Sequence, residues 1–207
     1  MAEIIVLPAS DPESVARAVA ALRAGEVVAL PTDTVYGLGA HSGMAVAIEK
    51  LYDIKGREHQ KAIPLLIARV EDVQSVARNV PEIGWRLMKC FWPGPVTLLL
   101  PKAATLLDVL TAGTDAVALR LPAHDVTLRL ISTLGVPLAT TSANLSGRPE
   151  AVTAEEVVQA LGHRVGLVLD GGRCPGGVAS TVVDLTTHPP VIRRRGALAA
   201  EVEALLG

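Results

Sequence analysis

A short apolar run that ends abruptly in a polar turn limits the fold more than any other feature. Residues 26–30 read Glu-Val-Val-Ala-Leu, and Pro31-Thr-Asp-Thr-Val-Tyr-Gly-Leu-Gly39 follows at once. The run is β-branched and too short for a helix, so it reads as a strand. The proline, hydroxyls and glycines after it favour a turn over further strand. Met44, Ile48, Leu51, Tyr52 and Lys55 then fall on one helical stripe, which predicts a helix over 44–55 broken by Gly56. Lys55 is expected along the buried side near the helix end, with Arg57 just beyond it. A strand end rich in hydroxyls thus meets a helix end carrying two cations.

The rest of the chain alternates between the two periodicities without a strict rhythm. Strands are expected at 4–7, 63–68, 96–100, 116–121, 136–140, 166–169, 181–185 and 190–194. Helix starts are expected at Asp11-Pro12, Asp72, Pro81, Asp125 and Thr153, where Glu156 completes a capping box, and a last helix over 197–206. Some strand pairs have no helix between them. That favours a mixed α/β (α+β) sheet covered by helices over a parallel βαβ series. The chain has 207 residues, so one domain over 1–207 is expected.

Composition narrows the function classes. Half of the residues are hydrophobic but only 2% are aromatic, so the core must be aliphatic and a nucleic-acid surface built on base stacking is disfavoured. The net charge of −2 is also unlike that of a protein coating nucleic acid. Cys90 and Cys174 are the only cysteines; no disulfide is expected, Cys90 reads as a buried thiol, and a reducing, cytoplasmic setting follows. The first residues lack the pattern of a signal peptide, and no apolar run is long enough to cross a bilayer.

Several signatures are missing: the P-loop, the dinucleotide fingerprint, H-E-x-x-H and G-x-S-x-G. Histidines 41, 59, 124, 163 and 188 have no metal-ligand spacing, so no metal ligands are expected. What remains is a set of strand ends. Lys55-x-Arg57 is either a solvated pair or a phosphate site. Arg120, within Ala-Val-Ala-Leu-Arg-Leu-Pro, must be paired or face a polar cavity. Ser142-x-Asn144 and Ser180-Thr181 follow an apolar strand and a glycine-rich loop, positions that suit ligands but also ordinary turns. Arg193-Arg194-Arg195 is a short basic cluster. Together these suit a nucleotide and a small zwitterion.

Six blocks occur in order: Pro31-Thr-Asp-Thr-Val-Tyr-Gly-Leu-Gly39, Lys55-Gly-Arg57, Trp92-Pro-Gly-Pro-Val-Thr97, Leu119-Arg-Leu-Pro122, Thr141-Ser-Ala-Asn144 and Ser180-Thr181. In these the chain resembles the YrdC/Sua5 family, the threonylcarbamoyl-AMP synthases, in its short single-domain form. The resemblance implies a twisted mixed sheet flanked by helices around a large basic cavity. It implies formation of L-threonylcarbamoyl-adenylate and pyrophosphate from L-threonine, bicarbonate or CO2, and ATP with Mg2+. That product serves N6-threonylcarbamoyladenosine formation in tRNA, so tRNA or the downstream threonylcarbamoyl-transferase proteins become candidate partners. By the same resemblance Lys55, Arg57, Asn144 and Arg194 would bind ATP, with Lys55 and Arg57 as the catalytic cations. Thr32, Arg120, Ser142 and Ser180 would bind threonine. Asp33 and Tyr36 receive no role. Glu58, Glu150 and Ala179 depart from the family pattern. Two rival readings are a paralogue of the same fold acting on another substrate and a non-catalytic RNA-binding module.

Overall fold

The computed structural model describes residues 4–56 and 61–207. Arg57 and Glu58 lie outside the described residues. Among the described residues ten strands form one mixed sheet in the order β1-β8-β2-β3-β7-β4-β6-β5-β9-β10. The strands are β1 (Ile5–Pro8), β2 (Val28–Leu30), β3 (Gly37–His41), β4 (Leu65–Leu66), β5 (Val96–Pro101), β6 (Ala116–Arg120), β7 (Leu138–Ser142), β8 (Leu167–Asp170), β9 (Thr181–Asp184) and β10 (Val191–Arg194). The helices are α1 (Pro12–Arg23), α2 (Ala45–Lys55), α3 (Val73–Val76), α4 (Glu82–Phe91), α5 (Asp125–Leu134), α6 (Ala154–Leu161) and α7 (Ala199–Leu206). Parallel pairs (β1·β8, β2·β8, β4·β6, β5·β9) are mixed with antiparallel ones, as the irregular alternation predicts.

The side-chain period of two gives the sheet two different faces. Leu38, Ala139, Leu65, Leu119, Leu98 and Val183 point into the larger core, which also takes Ile48 and Leu51 of α2 and Leu87 and Met88 of α4. Their neighbours along the strands point the other way. On that second face α1 and α5 cover only one side, where Val15, Val19 and Leu22 meet Leu30, Leu138, Leu130 and Ile131. Towards β5 and β9 no helix among the described residues covers the second face. Ser142, Arg120, Thr97 and Val182 therefore face a cavity instead of a core.

The structure corrects several sequence expectations. The polar block does not stay a turn to Gly39: β3 starts at Gly37. Its glycines serve close approach, since a Cβ on Gly37 would lie 2.7 Å from Thr140 Cγ2 and one on Gly39 would lie 2.7 Å from Leu138 Cδ2. The strand expected over 63–68 pairs as a ladder only at Leu65–Leu66, because Pro64 has no N–H to contribute. Asp125 is the first residue of α5, not its cap, which is His124. At α6 the Thr153 hydroxyl does accept from Glu156 N (3.3 Å), but the Glu156 carboxylate reaches Val152 N (2.7 Å), one residue earlier than a capping box requires. Cys90 is exposed: it falls beside the buried stripe Gly84, Leu87 and Met88 of α4.

Asp184 ties the last two strands together. Its buried carboxylate accepts from Thr186 N (2.9 Å), Thr186 Oγ1 (2.6 Å) and Arg193 Nε (2.9 Å). Burial pushes its pKa up, but these donors outweigh burial and hold it below the usual value. A carboxylate with a depressed native pKa stabilises the fold above its unfolded value, about 3.9, and that contribution fades as pH falls through the native value. Asp184→Asn is therefore expected to melt lower than wild type at neutral pH, and the difference is expected to shrink as pH falls below the unfolded carboxylate value of about 3.9 and through the lower native one, as followed by thermal melts at stepped pH.

Candidate active site

The open part of the second face forms a cavity of about 450 Å3. Thr32, Lys55, Arg120, Ser142, Asn144, Ser180 and Arg194 all line it, although they come from six separate places in the chain. Arg57, the remaining site residue expected from the sequence, lies outside the described residues. Charged groups lining the wall include Lys55, Lys61, Arg120 and Arg194 and one carboxylate, Glu150. Val152 and Thr153 are engaged in the α6 cap instead of the wall.

Lys55 is only 4% exposed. The stripe of α2 carries it inward, and Gly56, at φ 56°, ends the helix in the left-handed conformation that glycine tolerates. The Lys55 ammonium donates to Asn144 Oδ1 (2.6 Å) and to the Ser142 carbonyl (2.7 Å). Ser142 Oγ donates to the same Asn144 Oδ1 (2.8 Å), and Asn144 Nδ2 donates to Arg148 O (2.5 Å). The amide thus orients the cation while the turn after β7 holds the amide. A cation at a helix C-terminus also gains from the helix dipole.

Arg120 is both paired and cavity-facing, so the two alternatives left by its sequence context hold together. Its Nε donates to Gly94 O (3.0 Å), one terminal nitrogen to Thr34 Oγ1 (2.9 Å) and the other to Asp33 Oδ1. Burial pushes its pKa down, Asp33 pulls it up, and nearby Arg194 pushes it down further. A guanidinium stays charged through such shifts. Gly94 is needed at the turn, since a Cβ there would sit 2.4 Å from Phe91 O.

The polar block owes its shape to Thr32 Oγ1, which accepts from Thr34 N (3.1 Å) and Val35 N (3.3 Å) and donates to Val35 O (2.7 Å). On the far wall, Ser180 Oγ pairs with Thr97 Oγ1 (2.8 Å) and accepts from Arg194 (3.0 Å), whose Nε also donates to Ser180 O (2.9 Å). Thr34 and Thr97 are wall residues without a prior assignment. Thr97 stands two positions from Leu99, another wall residue of β5, whereas Thr34 lies in a turn, where strand alternation gives no signal. Tyr36 and Asp33 also gain roles. The buried Tyr36 hydroxyl donates to Gly172 O (2.8 Å) and accepts from Gly171 N (3.1 Å), and burial keeps it neutral by pushing its pKa up. His124, at the start of α5, has a buried Nδ1 without a partner among the described residues, and burial pushes its pKa down.

The sequence profile of Sua5, YciO and YrdC proteins, described as telomere recombination, matches residues 20–196. The chain belongs to the Sua5/YciO/YrdC family. The threonylcarbamoyl-AMP synthase of Pyrococcus abyssi is 42% identical over 90% of this chain and 55% of its own length. That of Bacillus subtilis is 42% identical over 97% of this chain and 58% of its own length. The chain thus spans little more than half of each relative. The crystal structure of Pyrococcus abyssi Sua5 complexed with L-threonine superposes with a TM-score of 0.93 at 39% identity, covering 99% of this chain and 61% of that one. The family's twisted mixed sheet flanked by helices is the architecture seen here.

The loop at 171–177 lies against the polar block, whose Thr32 and Thr34 line the cavity. Gly176 N donates to Asp33 O (3.1 Å), Gly177 N to Thr34 O (2.8 Å) and Cys174 N to Val152 O (2.8 Å). A Cβ on Gly176 would meet Asp33 O at 2.6 Å. Cys174 is buried beneath this contact, and burial pushes its thiol pKa up. With a chromogenic disulfide reagent the native protein is expected to show one fast thiol, Cys90, and one slow thiol, Cys174. Gly176→Ala is expected to lose about 1–3 kcal/mol of stability and to bring the second thiol into the fast phase.

Proposed function

We propose that this chain forms L-threonylcarbamoyl-adenylate from L-threonine, bicarbonate or CO2, and ATP, releasing pyrophosphate, as a cytoplasmic step towards N6-threonylcarbamoyladenosine in tRNA. One observation carries the reading: a single cavity brings the hydroxyls of Thr32 and Thr34 and the Arg120 guanidinium together with the cations Lys55 and Arg194. The names of the relatives and the threonine complex of the Pyrococcus abyssi protein support it.

The chemistry needs no covalent enzyme intermediate. The threonine amine adds to the carbon of bicarbonate, and water leaves, giving a carbamate. A carbamate oxygen then attacks the α-phosphorus of ATP as the bond to pyrophosphate breaks. The reacting groups gain from being held side by side. The two unassigned N–H groups of Arg120, of the five a guanidinium offers, are available to the threonine carboxylate. Lys55 and Arg194, with Arg57 as the sequence suggests, would neutralise phosphate charge in the transition state. The described residues contain no group of three or more His, Cys, Asp or Glu side chains placed to hold a metal. Mg2+ would come with ATP, held by its phosphates and by water, and would offset phosphate charge when bound. tRNA or the downstream transferase proteins would receive the adenylate.

Purified protein given L-threonine, bicarbonate, ATP and Mg2+ is expected to release pyrophosphate, and Lys55→Ala to lower the rate by about 10²-fold or more. No release above the Lys55→Ala level would sink the reading. Calorimetric titration of threonine against serine, with ATP present, separates it from a paralogue with another substrate.

A further inference from the structure

Among the described residues two arginines reach the cavity, and their charges are treated differently. Arg194 bonds the neutral oxygens of Ser180 and has no carboxylate partner among the described residues. Arg120 is joined to the Asp33 carboxylate, and both side chains are less than a tenth exposed. Asp33 does not line the cavity. It sits behind the wall, its backbone held by Gly176, and acts on a ligand only through Arg120.

We infer that Asp33 is a specificity-determining residue: by cancelling the Arg120 charge it lets that end of the cavity accept a zwitterionic amino acid while giving phosphate no net attraction. The inference rests on the proposed reaction and names how its two substrates are kept apart.

The physical problem is a shared one. A cavity that must bind a polyphosphate offers several cations, and any of them would also draw a phosphate group into the amino-acid end. Fixed donors and net charge are separable means of recognition. A carboxylate can still accept the two unassigned N–H groups of Arg120 in a geometry that Asp33, Thr34 and Gly94 hold still. The net charge of the pair is zero, so a dianion gains little beyond those same bonds and must shed much more hydration. Rejection by withheld charge is specificity built against the wrong ligand. Arg194, outside the pair, keeps its full charge. In sequence the arrangement is cryptic, because Asp33 and Arg120 are 87 positions apart.

The test uses inorganic phosphate as the probe, with calorimetric titration into wild type, Asp33→Asn and the double variant Asp33→Asn/Arg120→Gln. Asp33→Asn is expected to bind phosphate at least about tenfold more tightly than wild type, a readily resolved difference, and the double variant is expected to lose the gain. No gain, or a gain that persists without Arg120, overturns the inference. Because Asp33→Asn leaves a buried cation without its counter-ion, Asp33→Ser is a second variant with room for water beside Arg120, and the same gain is expected. A measurement on wild type needs no variant to fold: millimolar phosphate is expected to leave threonine affinity within about twofold, and strong competition would equally overturn the inference. Wild type that binds neither threonine nor ATP would instead count against the proposed reaction itself.

Discussion

The guanidinium of Arg120 joins three parts of the molecule that the chain keeps far apart. It belongs to β6, it donates to the turn before β5 through Gly94, and it holds the polar block after β2 through Asp33 and Thr34. A buried arginine is tolerated only when its donors are met. Meeting them here fixes the position of each partner segment, so the same bonds that make burial possible also set the shape of the cavity wall. The loop at 171–177 then closes onto the polar block by backbone hydrogen bonds and by the Tyr36 hydroxyl. Gly171 and Gly176 stand where a side chain would strike a proline ring or a carbonyl.

How much of this is visible in the sequence depends on the range over which each feature is determined. Helix α2 and the inward aim of Lys55 follow from a local stripe, and they are found as expected. Most strands follow from short apolar runs. The errors arise where a local signal is overruled by a distant one. Gly37 and Gly39 look like turn residues, yet they are extended, because Thr140, Leu138 and Leu30 leave no space for a Cβ. Cys90 has apolar neighbours in sequence but falls beside the stripe that α4 buries.

The site shows the same division. The cavity brings together the described residues expected to form it, from Thr32 to Arg194. Legible beforehand was that Arg120 needed a partner or a polar cavity. The identity of that partner was not legible, because Asp33 lies in a turn where an aspartate has an adequate local explanation. Tyr36 was hidden for a related reason: its bond is to backbone atoms of a glycine loop, and backbone partners leave no mark on residue type.

The uneven helical cover of the sheet has one more consequence. A sheet normally gains its second layer from the chain itself. Here α1 and α5 supply that layer on one side only, and the strands from β7 to β9 turn polar side chains towards open space. For those strands a bound ligand is structurally a missing layer, made of small molecules in place of a helix. Occupancy then adds to stability by mass action. The addition is concentrated in amides of the uncovered strands, while the half beneath α1 and α5 is equally protected with or without a ligand.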